Sequence, residues 1–196
     1  VEVAMVMTLT LTLMTLMAAY FVRGQRYAAE TETYSSVQRS ANTLLRKMTD
    51  DIYRSSVEQI EVGTNRVIFL SFGPTDDNEP ELELEPTTGK IVWKKWVGYY
   101  HDVGQETVFR GELPLDSTIS DLSTAASPAV DLLTFPTLGG VSRRPLPGKV
   151  RSFSVTQIQD RIRLRLTTWG RSPIVANSDA LREVVVSVQT EVALLN

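Results

Sequence analysis

Glu2 is the only charged side chain among the first 22 residues, and it stands at the head of an uncharged run from Val3 to Val22. Carrying an ionised carboxylate toward a bilayer core costs several kcal/mol unless a partner charge or hydrogen bonds offset it. Glu2 therefore asks either for a partner charge or for a place at the headgroup interface. The other residues with chemical potential are fewer than the length of the chain suggests. His101 is the single histidine and there is no cysteine, which excludes histidine or thiolate zinc sets, disulfides and a cysteine nucleophile. His101 follows Tyr99-Tyr100 and precedes Asp102, a setting that suits packing and a turn at a strand end better than acid–base catalysis. Asp76, Asp77 and Glu79, with Asn78 and Glu81, make an oxygen-rich loop able to attract calcium. Its spacing does not fit an EF-hand, and spacing favours a solvated acidic turn. Gly139-Gly140 lacks the lysine of a phosphate loop.

Arg161, Arg163 and Arg165 alternate with Ile162, Leu164 and Leu166, so they form a basic row on one strand face. Such a row is either a wet face paired with acids or a polyanion contact. A net charge of −3 and sparse aromatic interleaving point away from nucleic acid. These residues predict no catalytic centre, no cofactor and no small-molecule substrate.

The elements that hold these residues follow from patterning. Val3–Val22 has about the 20 residues that a helix needs to cross a hydrocarbon core at 1.5 Å per residue, and Arg23 and Arg26 follow as polar anchors. Thr8, Thr10 and Thr12 alternate with Leu9, Leu11 and Leu13, the period of a strand. A lone strand in lipid cannot satisfy its backbone, whereas helical threonines can bond back to earlier carbonyls. The helical pattern continues past Arg23, with Tyr27, Tyr34, Val37, Ala41, Leu44, Met48 and Ile52 as an apolar stripe. No proline interrupts residues 1–56, and Gly24 is the only glycine there, a place for a bend. One helix to about Ser55 is predicted, its first half apolar all round and its second amphipathic.

Beyond Ser56 the pattern turns to strands. Ile60–Val62 and Val67–Phe72 flank Gly63-Thr64-Asn65 as a hairpin, and Leu82 and Leu84 alternate with glutamates. Thr88-Gly89-Lys90 turns into Ile91–Tyr100, and Val108–Leu113 follows. Pro114–Pro147 predicts a long irregular segment with one or two short strands, and Val150–Gln157, Arg161–Trp169 and Val184–Leu194 close the chain. The expected fold is α+β: a helix whose second half packs on antiparallel sheet, with Val67, Phe69, Ile162, Leu164, Val186 and Val188 buried against Val37, Leu44, Met48 and Ile52. The regions are 1–23, an apolar helix for membrane or filament core; 24–56, its amphipathic continuation; and 57–196, a β-rich globular domain.

Val1-Glu2-Val3 leading into an apolar helix resembles the type IV pilin family. Its processed members begin with an aromatic residue or Met, then Thr-Leu-(Ile/Val)-Glu, so the first three of those positions are expected upstream of this numbering. Leu44–Ile52 is similar to the helix end of J-type minor pseudopilins of type II secretion and W-type minor pilins. Gly89–Tyr100 with Trp93 and Trp96, and Phe109-Arg110, are similar to their central strands, and Glu191–Asn196 to their closing strand. Major pilins commonly carry a proline near the end of the membrane segment; Ala18-Ala19-Tyr20-Phe21 has none, which favours a minor subunit.

The resemblance implies a structural subunit processed by prepilin peptidase. It would be held in the inner membrane with its globule on the periplasmic or outer side, then assembled with other pilin or pseudopilin subunits into a pilus or pseudopilus. It implies that Glu2 pairs with the N-terminal amine of a neighbouring subunit. Val3, Val6, Leu9, Leu13, Leu16 and Phe21 would then lie in the filament core. Three other readings remain at this stage: a major pilin that forms the shaft, a single-pass anchored binding domain that never polymerises, and a secreted enzyme tethered by its helix, which the residue inventory hardly supports.

Overall fold

The computed structural model describes residues 2–74, 82–119, 132–172 and 182–194. Its first element is one unbroken helix, α1 (Glu2–Tyr53), 52 residues long and so about 78 Å from end to end. Gly24 does not break it. The predicted back-bonding is present: Thr8 Oγ1 donates to the Ala4 carbonyl at 2.7 Å, Thr10 to Val6 at 2.8 Å and Thr12 to Thr8 at 2.7 Å. The hydroxyls are thereby spent on the helix's own carbonyls, and the outer surface of this half is left apolar.

Among the described residues eight strands follow: β1 (Ser55–Gly63), β2 (Arg66–Ser71), β3 (Trp93–Asp102), β4 (Thr107–Ile119), β5 (Ser142–Pro145), β6 (Lys149–Ile158), β7 (Arg161–Ser172) and β8 (Arg182–Ala193). They form a five-stranded sheet in the order β1-β2-β3-β4-β5 and a three-stranded sheet in the order β6-β7-β8, both antiparallel. The molecule is α+β, as the alternation of apolar faces predicts.

The main core lies between α1 and the sheets. Ala41, Leu44, Leu45, Met48 and Ile52 of the helix meet Val67, Phe69, Val97, Ile162, Leu164 and Leu166. Val186 is buried nearby, while Val188 is only half-buried, because β8 is the edge of its sheet. A second core covers the other face of the five-stranded sheet, where Phe135 and Leu132 sit on Ile68, Leu70, Trp93 and Trp96. Gly98 and Gly111 make room for the Phe135 ring: a Cβ on either would come within 2.4 Å or 2.7 Å of it. Gly170 does the same for the helix, since a Cβ there would lie 2.6 Å from Val37 Cγ2.

Four expectations need correction. Tyr27 and Tyr34 are exposed, at 74% and 47%. Above Val37 the covered face passes through half-buried Thr33 instead, because the globule meets α1 where Gly170 touches Val37 and Thr33. The first strand starts at Ser55 rather than after Ser56. Leu82 and Leu84 form no strand beyond a single bridge between Leu84 and Ile91; both stay half exposed, so no buried layer rewards their alternation. Finally, β4 runs on through Pro114 to Ile119. Proline is tolerated there because β5 pairs only with Phe109–Glu112, so no strand asks for the missing N–H.

Candidate assembly surface

Among the described residues, nothing packs on the apolar half of α1. Val3, Val6, Leu9, Leu13, Leu16 and Phe21 are all exposed, as are Met5, Met7, Leu11, Met14, Met17 and Tyr20. Among the described residues this is the one helix long and apolar enough to cross a membrane. Burying a large aliphatic side chain is worth about 1.5–3 kcal/mol, so a surface of this size is stable only when lipid or other helices cover it. Glu2 lies in the first turn of α1, at the far end of the bare half from the globule. Among the described residues nothing packs on the six residues expected in a filament core, and they stand together only as one side-chain sleeve around a rod.

The four packing residues are placed as expected. Val37 is nearly buried, and Leu44, Met48 and Ile52 are fully enclosed. One group beside them was not foreseen. Asp51, on the last turn of α1, accepts from Arg110 Nε at 2.6 Å and from the Tyr99 hydroxyl. The same Nε–H reaches the Tyr99 oxygen at 3.1 Å, and Arg110 also pairs with Glu112. Lys95 closes the chain of contacts by donating to Glu112 at 3.1 Å and to the Pro74 carbonyl. These side chains are largely buried, so the network pins the helix end to β3 and β4.

The electrostatics follow from burial against pairing. Burial lifts the Tyr99 phenol well above its ordinary range, and the neighbouring Asp51 adds to the lift. Burial alone would lower the Arg110 guanidinium, but the hydrogen bond and charge of Asp51 raise it further above its usual value. Burial would likewise raise the Glu112 carboxyl; Arg110 and Lys95 outweigh that and hold it below the ordinary glutamate range. The signal for this network was present in strand parity. Lys95 and Tyr99 share the core-facing side of β3 with Val97, and Arg110 and Glu112 face them from β4. Polar residues at core parity need partners.

The remaining sequence candidates separate. His101 is buried, with Nε2 at 2.9 Å from the Val150 carbonyl, a packing role. Arg161, Arg163 and Arg165 lie on the outer face of β7, and Arg163 pairs with Glu191 at 2.7 Å. Further along that face, Lys149, Arg151 and Arg171 stand 5.2–5.9 Å from the Trp169 ring. The acidic loop with Asp76, Asp77 and Glu79 lies outside the described residues. Within the described residues no group of three or more His, Asp or Glu side chains is placed to hold a metal. No family model, curated protein or solved structure matches this chain.

Proposed function

We propose that this chain is a structural subunit of the type IV pilin class, a minor pilin or pseudopilin. In this reading it waits in the inner membrane and then enters a pilus or pseudopilus by moving its bare helix from lipid into a bundle of neighbouring helices. The observation that carries the reading is the division of α1 into a half enclosed by the chain's own sheets and a half whose apolar side chains are exposed. A helix that only anchored would need the apolar run but not a carboxylate at its head. Glu2 is the residue that favours assembly, since its desolvation is offset when a neighbour's N-terminal amine lies beside it. The role is structural and calls for no cofactor or substrate.

Glu2→Ala tests this. Membrane insertion should hold or improve, because a carboxylate opposes burial. The globule should melt unchanged, because Glu2 lies far from it. Entry into filaments should fall about a hundredfold or more, the equivalent of the ~3–5 kcal/mol lost when one partner of a buried ion pair is removed. Full incorporation of the Glu2→Ala chain would overturn the pairing role, whereas an anchored domain that never polymerises would enter filaments with neither sequence.

A further inference from the structure

Where α1 leaves the globule, the helix and the start of the three-stranded sheet enclose a cleft of about 460 Å³. Glu32 and Ser36 of α1 line one wall, and Lys149, Trp169, Gly170 and Arg171 line the other. Two glycines bring these walls together: a Cβ on Gly170 would lie 2.6 Å from Val37, and one on Gly148 would lie 3.0 Å from Ser40. Trp169 is buried, and three cations gather on its ring. Arg171 stands 5.2 Å from the centroid, Arg151 5.6 Å and Lys149 5.9 Å. The ring attracts each cation, but three like charges this close repel one another, so an anion among them is favoured. The chain's own acids answer two of the three: Glu183 accepts from Arg151 at 2.8 Å, and Glu106 lies 3.7 Å from Lys149. Among the described residues no carboxylate pairs with Arg171, and Glu32 is the one carboxylate in the cleft's lining. The Trp169 Nε1–H is buried and has no acceptor among the described residues. Buried donors without acceptors are rare, and one in the wall of a basic cleft calls for an oxygen from outside the chain.

The helix sets the height of this cleft. Ala29 is its first residue on α1, and Val22 ends the apolar run, so the cleft begins about 10 Å beyond that run along the axis. Arg23 and Arg26 occupy the interval. A headgroup layer is about 5–8 Å deep on each side of a bilayer, and long cationic side chains span what remains. We infer that the cleft takes the phosphate of an anionic phospholipid headgroup from the bilayer around the bare half of α1. Phosphate oxygens accept from Arg171 and Lys149, and one supplies the acceptor that Trp169 lacks. Free phosphate would meet the same donors. The lipid is the occupant because the bilayer holds its headgroups beside the cleft at high local concentration, and because a negative surface draws nearby Lys and Arg toward it. The contact holds the globule down on the membrane and is given up when α1 leaves lipid.

The inference rests on the membrane-anchored reading, and its test separates the two. Full chain is reconstituted in nanodiscs of equal phosphatidylglycerol and phosphatidylcholine, and the lipid that stays on the released chain is read by native mass spectrometry. A single copy should retain phosphatidylglycerol over phosphatidylcholine by about tenfold or more. Lys149→Gln with Arg171→Gln, both exposed side chains, should bring that ratio close to even while insertion stays unchanged. Arg23→Gln with Arg26→Gln, on the helix below the cleft, should keep most of the preference. A chain that never enters nanodiscs overturns the anchored reading and this inference with it; a chain that enters without lipid preference overturns this inference alone. It is also overturned if the helix pair rather than the cleft pair removes the preference, if excess inorganic phosphate displaces the lipid, or if the preference appears only on dimers.

Discussion

Between Val3 and Phe21, α1 turns aliphatic side chains outward in every direction; between Val37 and Ile52, the same helix encloses Val37, Ala41, Leu44, Leu45, Met48 and Ile52 and shows solvent a polar face. Both stretches belong to one unbroken run of backbone hydrogen bonds, so secondary structure does not separate them. The difference lies in what covers the apolar surface. The second stretch is covered by the chain's own strands, and its contribution is to the stability of the globule. The first is left for a bilayer or other helices, and its contribution is to location. Helix propensity is satisfied equally in both, and composition alone decides where each half is stable.

Leucine-to-aspartate changes in the two halves should break the comparison most sharply. Leu44→Asp places an unpaired charge in a fully enclosed site and should remove several kcal/mol, about 3–5, from globule stability, read as a large fall in melting temperature. Leu13→Asp should leave that melting temperature unchanged and instead weaken membrane insertion by about 2.5–3.5 kcal/mol. Equal effects of both changes on melting would mean that the two halves are not energetically distinct.

The helix end should come next in size. Asp51→Ala leaves the Arg110 Nε–H and the Tyr99 hydroxyl without their carboxylate acceptor while Glu112 still pairs with Arg110, and a loss of about 1–3 kcal/mol is expected, with Asp51→Asn retaining part of the stabilisation. Glu112 adds a pH dependence whose sign is fixed by its lowered pKa. The unfolded chain binds this proton more tightly than the folded one does, so the stabilisation is complete above the ordinary glutamate pKa, about 4.3, and is lost as pH falls through the lower folded value. Melting temperature should therefore drop below pH about 4, and Glu112→Gln should flatten that part of the profile.

Glycines give the smallest and most local test. Gly170→Ala presses a methyl group on Val37 and should destabilise by about 1–3 kcal/mol, with Gly98→Ala doing the same against Phe135. Gly24→Ala meets nothing within 4 Å in the exposed half and should instead raise helix stability by about 0.5–1 kcal/mol without moving the globule's melting point.

Periodicity was enough to read α1 and the strands that bury it, because an apolar stripe of period 3.6 and alternating strands each demand a partner. The stripe failed at Tyr27 and Tyr34, since spacing shows which residues share a face and not how far along the helix the globule reaches. The Asp51–Tyr99–Arg110–Glu112–Lys95 network was missed for a related reason. Its members are scattered over residues 51–112, and only strand pairing brings them together. Two sheets rather than one, and the run of β4 through Pro114, depended on long-range register that local signals do not carry. At the candidate assembly surface the reverse holds: Glu2 and the run behind it were legible because their chemistry is set by composition over adjacent residues.

The chain's lack of cysteine allows the central claim to be measured without background. Single cysteines at Leu13, in the bare half, and at Ala41, in the enclosed half, are introduced separately, labelled with a maleimide-linked benzophenone and irradiated in assembled filaments. The account predicts cross-links from position 13 to neighbouring subunits and none from position 41, which the chain's own sheets enclose. Absence of any product at position 13 in filaments that contain the chain, or equal products at both positions, would contradict it.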